Sequence, residues 1–118
     1  MDVAKSIITG KSGQITVFSV NTRLDRASDP DLAENVIGEI LVGNTNLIVD
    51  LGDCPVADSA GLQALVIAFK KFRDYGGRMV LCRPNSRIMR VLETTRLSAV
   101  IETYPDLQTA ISSFAPKT

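Results

Sequence analysis

An apolar run, Asn46-Leu47-Ile48-Val49-Asp50-Leu51, is followed by the turn residues Gly52-Asp53-Cys54-Pro55 and by a helical pattern from about Ser59 to Tyr75. Gly76-Gly77 then leads into a second apolar run, Arg78-Met79-Val80-Leu81-Cys82. Short apolar runs of this kind suit the interior of a sheet, and the glycine pair stands where a helix needs a left-handed C-cap. A strand, a helix and a second strand in direct succession point to an α/β domain.

The flanking segments extend the same pattern. Val3–Thr9 and Gln14–Val20, joined by Gly10-Lys11-Ser12-Gly13, read as a hairpin in which Ile15, Val17 and Val20 mark the apolar side. Ser28-Asp29-Pro30-Asp31 is a helix start signal with a capping side chain and an early proline. Leu32, Val36 and Ile40 give that helix its apolar side, and Gly43-Asn44 ends it. Ser86–Thr94 reads as a shorter helix, Val100-Ile101 as a brief last strand, and Thr103-Tyr104-Pro105 as the opening of a terminal helix carrying Leu107, Ala110, Ile111 and Phe114. The expectation is one domain over residues 1–118: a mixed sheet of about five strands covered by about four helices.

A chain of 118 residues can bury about two-thirds of its unfolded surface. The absence of any apolar run of about 18 residues argues against a membrane span, and Met1-Asp2-Val3-Ala4-Lys5-Ser6 lacks signal-peptide features. Cys54 and Cys82 make no disulfide framework and read as buried free thiols, so a cytoplasmic location is expected. Residues 1–60 carry four bases against nine acids, and residues 61–118 nine bases against four acids, a split that intermixing in the fold would cancel. With zero net charge, 5% aromatic residues and no tryptophan, nucleic-acid binding is not expected.

The chain contains no histidine, which excludes a Ser-His-Asp or Cys-His arrangement. No glycine-rich phosphate loop of common spacing is present, and two cysteines are a weak pair for structural zinc, so neither catalysis nor a cofactor is expected. Attention falls instead on Val56-Ala57-Asp58-Ser59-Ala60-Gly61-Leu62, which puts Ser59 at the first turn of a helix. Free N–H groups and the positive dipole end favour negative charge there. A capping role for Asp58 or Ser59 accounts for the same residues, at about 1 kcal/mol. On the helix that follows, Leu62, Leu65, Phe69 and Phe72 form the buried side and Gln63, Lys70, Lys71 and Asp74 the wet side. Ile67 falls on the wet side; beside Ala60 and Gln63 it marks a small apolar docking patch, unless another loop covers it.

Leu47–Leu51, Val56–Leu65 and Gly76–Leu81 together resemble the STAS domain of bacterial anti-sigma-factor antagonists. Arg23-Leu24-Asp25 and Val91–Leu97 add to the resemblance, which covers about residues 14–114. It implies a non-enzymatic switch in which Ser59 is phosphorylated by an anti-sigma factor that is itself a serine kinase of the histidine-kinase-like ATPase class. The unmodified antagonist binds that kinase and frees the sigma factor, phosphorylation releases it, and a metal-dependent PPM-type phosphatase resets it. Asp25 and Asp58 match acidic positions beside the site, and Ala60, Gly61, Gln63 and Ile67 fall on the partner-binding surface. Arg96 departs from the family, which commonly has glycine at that position. Two other readings remain: a structural STAS subunit of a stress-signalling or transporter-accessory assembly, and a nucleotide-binding module using the Ser59 helix terminus.

Overall fold

The computed structural model describes residues 3–10 and 13–114. In chain order it contains β1 (Val3–Gly10), β2 (Gly13–Val20), α1 (Ser28–Leu41), β3 (Asn46–Asp50), α2 (Ser59–Asp74), β4 (Arg78–Cys82), α3 (Ser86–Thr94), a 3-10 turn at Leu97–Ala99, β5 (Thr103–Tyr104) and α4 (Leu107–Ser112). The five strands form one mixed sheet in the order β1-β2-β3-β4-β5. β1 runs antiparallel to β2 with Gly10 opposite Gly13, as a hairpin requires, and the turn residues Lys11 and Ser12 lie outside the described residues. β2, β3, β4 and β5 are mutually parallel.

That strand order dictates where the helices go. Each parallel step moves the same way across the sheet, and right-handed crossovers then place every connecting helix on one face. Residues of α1, α2 and α3 accordingly share one core with Phe18, Val20, Leu47, Val49, Met79 and Leu81. α4 closes the opposite face, where Ala110 and Phe114 meet Ile15, Val17, Ile48, Val80 and Cys82. Central strands covered on both faces explain the unbroken apolar runs. The same effect corrects the alternation expected in β2: Ile15, Thr16, Val17 and Phe18 are all buried.

Local chemistry agrees with most boundaries. Gly76 ends α2 with a φ of 85°, and Gly77 follows because an added Cβ would strike the Phe72 ring at 2.4 Å. Three expectations need correction. The position before α1 is Ala27, with no side-chain cap bond; the Asp25 carboxylate instead accepts from the Ala27 N–H at 3.0 Å. Val100-Ile101 is not a strand: Val100 is half-exposed, Ile101 is buried, and β5 comes two residues later. Tyr104 therefore pairs with β4 rather than opening a helix, and α4 starts after Asp106, whose carboxylate accepts from the Thr109 N–H at 2.7 Å. Arg96 adopts a left-handed backbone at φ 63°, a conformation that glycine takes more readily than any other residue.

One buried polar cluster holds α1 to the sheet. Glu39 is 1% exposed; it accepts from Thr16 Oγ1 and from the Asn44 amide at 2.8 Å, and pairs with Lys5 Nζ at 2.7 Å. Burial alone raises its pKa, but Lys5, Thr16 and Asn44 favour the carboxylate and hold it below the usual range.

Candidate functional site

The site is built where two loops meet at the carboxyl end of the central strand β3. The connector leaving β2 lies against the loop leaving β3: the Leu24 N–H donates to Val56 O at 2.9 Å, and the Asp58 N–H donates to Leu24 O at 3.1 Å. Leu24 and Ala57 form a parallel bridge. Gly61 makes this approach possible, since a Cβ there would lie 2.3 Å from the Leu24 carbonyl and 2.8 Å from the Asp25 N. The segments carrying Asp25 and Ser59 are thereby clamped together. From the other side, the Asn85 amide donates to Pro55 O at 2.9 Å and to Cys54 O at 3.3 Å, while its own oxygen caps α3.

Asp58 rather than Ser59 is the N-cap of α2: its carboxylate accepts from the Gly61 N–H at 2.9 Å. Ser59 is the first helical residue, exposed, with no side-chain partner among the described residues. The helix needs nothing from its hydroxyl. Asp25 and Asp58 come together as well, through a residue the sequence reading mentioned but did not place in the site. Arg23 lies 3.3 Å from the Asp25 carboxylate and 4.0 Å from that of Asp58. Only the folded path of the two loops brings these three charges into one group.

Further along α2, Ile67 is 46% exposed, and no loop covers it among the described residues. With Ala60, Gln63, Ala64 and Arg26 it lines a groove of about 210 Å³. Gln63 is exposed, Ala60 half-buried and Gly61 buried under the connector, so Gly61 shapes the site without presenting a surface. Arg26 is a second residue the sequence reading missed; two arginines flanking Leu24-Asp25 were the available signal. A larger groove of about 570 Å³ between β1 and α1 is lined by none of these residues.

The remaining candidates are structural. The Asp50 carboxylate is buried, takes both Nε and Nη2 of Arg83 at 2.9 Å and accepts from the Gly52 N–H, so it is committed to joining β3 to β4. Cys54 and Cys82 are both buried and free; burial, with Asp50 nearby, pushes the Cys82 thiol up to about 12. No group of three or more His, Cys, Asp or Glu residues able to hold a metal occurs among the described residues. Nor is any helix among them long and apolar enough to cross a membrane.

A singly wound mixed sheet with an exposed serine at the start of its second helix agrees with the expectation from the sequence, and the STAS domain family matches residues 6–110: the chain belongs to that family. A Thermotoga neapolitana protein named as a candidate anti-sigma factor antagonist is 30% identical over 69 residues, which span 58% of this chain and 61% of that protein. The crystal structure of a Thermotoga maritima protein of the same description has a TM-score of 0.83 at 22% identity, covering 95% of this chain and 93% of that one. The Bacillus cell fate determinant SpoIIAA in its phosphorylated form has a TM-score of 0.69 at 17% identity, covering 95% of this chain and 98% of that one.

Proposed function

We propose that this chain is a non-catalytic, cytoplasmic anti-sigma factor antagonist whose affinity for an anti-sigma factor is switched by phosphorylation of Ser59. The observation that carries the reading is the division of labour at the start of α2, where Asp58 caps the helix and leaves the Ser59 hydroxyl exposed. A serine kinase, the anti-sigma factor itself, transfers the γ-phosphoryl group of ATP to Ser59 Oγ; ADP leaves and the hydroxyl proton is released. A PPM-type phosphatase reverses this by hydrolysis. The names of the Thermotoga relatives, and the existence of a phosphorylated form of SpoIIAA, support the same class.

The physical basis of the switch is burial of charge. The docking surface comprises Asp25, Asp58, Ala60, Gln63 and Ile67 around Ser59, shaped by Gly61. A partner seated on it removes Ser59 from water. Phosphate adds about −1.5 to −2 charges there, beside two carboxylates, and its desolvation opposes docking. A loss of about 3 kcal/mol lowers affinity by about a hundredfold.

The test is incubation with the candidate kinases of the same genome and ATP, followed by mapping of the phosphate. Label on Ser59 is expected; label elsewhere, or none with any of them, refutes the reading. Ser59→Asp is expected to weaken kinase binding with an unchanged circular dichroism spectrum. Ile67→Arg is expected to weaken it too, and unaltered affinity would remove Ile67 from the surface.

A further inference from the structure

Arg23 is loosely engaged in the unmodified domain. Its side chain is 61% exposed, and its nearest approaches to the Asp25 and Asp58 carboxylates are 3.3 Å and 4.0 Å. Exposed ion pairs of this kind contribute little. The backbone beneath it is not loose. Leu24 is hydrogen-bonded in both directions to the loop that carries Ser59, so the Arg23 backbone stays beside the first turn of α2 whatever its side chain does. Asp58, the residue before Ser59, is already within reach of the guanidinium.

We propose that Arg23 is an internal counter-charge for phosphorylated Ser59: once the phosphoryl group is present, the guanidinium turns from the two carboxylates and closes on the phosphate oxygens. The inference rests on the reading of Ser59 as a phosphorylation site. A phosphate offers more charge than either carboxylate and three acceptor oxygens, and a guanidinium is shaped to meet such a group with two N–H donors at once. The charged residues on the two segments that meet at the start of α2 are Arg23, Asp25 and Arg26 from the connector and Asp58 from the preceding loop, beside the first N–H groups of the helix. Of these, Arg26 is directed to the groove with Ala60 and Ile67, while Arg23 already bridges the acidic pair. Arg23 thus keeps a dianion between two carboxylates from disturbing the fold, so that the modification acts on the partner.

The experiment installs phosphoserine at position 59 during translation, so no kinase is needed, and titrates the phosphate by phosphorus NMR. Arg23→Ala and Arg23→Gln are expected to raise its second pKa by about half a unit or more relative to the wild-type sequence. Arg23→Lys is expected to recover part of the difference, and Arg26→Ala to change it little. In the wild-type protein the Arg23 Nε–H resonance is expected to move on phosphorylation, a readout independent of how well any variant folds. Superimposable titrations of wild type and the neutral Arg23 variants, a shift carried by Arg26, or an unmoved Arg23 resonance would each overturn the proposal. Because the phosphate arrives without an enzyme, these results are separable from a failure of any kinase to label Ser59.

Discussion

Two glycines in helices test how the site is assembled, because the same substitution should act with opposite sign. At Gly38, in α1, an added Cβ meets nothing within 4 Å. Gly38→Ala should therefore show the ordinary helix gain of about 0.5–1 kcal/mol. At Gly61 the Cβ would lie 2.3 Å from the Leu24 carbonyl carbon and oxygen, and the obstacle is backbone, which cannot rotate aside. Reaching normal contact requires the connector to retreat by about 1 Å, given packing distances near 3.5 Å. Overpacking of this kind costs about 1–3 kcal/mol. The bonds Leu24 N–H to Val56 O and Asp58 N–H to Leu24 O stretch with it, at about 1 kcal/mol each. After subtracting the helix gain, Gly61→Ala should lose about 2–4 kcal/mol, or about 10 °C in Tm for a domain of this size. Urea unfolding of both variants, with the wild-type m-value as a check on two-state behaviour, measures this. A Gly61→Ala variant as stable as Gly38→Ala would refute the reasoning, and with it the claim that the clamp on Leu24 positions Asp25 beside Ser59.

Three further outcomes follow from the same structure. Asp58→Ala should cost about 1 kcal/mol through loss of the cap, while Ser59→Ala should stay within about 0.5 kcal/mol of wild type; equal losses in urea melts would mean that Ser59 shares the capping role. Arg96→Gly should stabilise by about 0.5–1 kcal/mol, since a left-handed non-glycine residue costs about 1–2 kcal/mol and glycine returns part of that in unfolded-chain entropy; calorimetry showing a lower Tm would contradict it. Glu39, with its pKa held down in the folded state, contributes stability that is present above its unfolded value near 4.3 and is lost as pH falls through the lower folded value. Lys5→Met removes a cause of that depression, so stability should be lower at pH 7 and should fall less steeply between about pH 5 and 3; parallel pH curves for the two proteins would exclude the pairing.

The periodic parts of this protein were legible without coordinates. The apolar runs at 47–51 and 79–82 and the wet and buried sides of α2 follow from local side-chain order, and they carried the α/β architecture and the place of Ser59 at a helix start. Ile67 stood out because a single isoleucine broke the wet side of that pattern, and it is exposed in the fold. The lack of histidine excluded a Ser-His-Asp or Cys-His arrangement within this chain before any fold was considered.

The rest depended on chain segments distant in sequence. Asp58 and Ser59 are both good caps, and nothing in their spacing chooses between them; the choice follows from the Leu24 carbonyl, which holds the Asp58 N–H and sets its extended backbone. The contact of Arg23 with Asp25 and Asp58, and the glycine that permits it, exist only because two loops lie side by side at one end of the sheet. The last strand was misplaced for the same reason: a two-residue strand has no periodicity to read, and its position is decided by where β4 offers unpaired backbone groups. Side-chain order within an element is a local property that the sequence carries by itself. Which loops meet, and therefore which charges surround the serine, is set by how the elements pack.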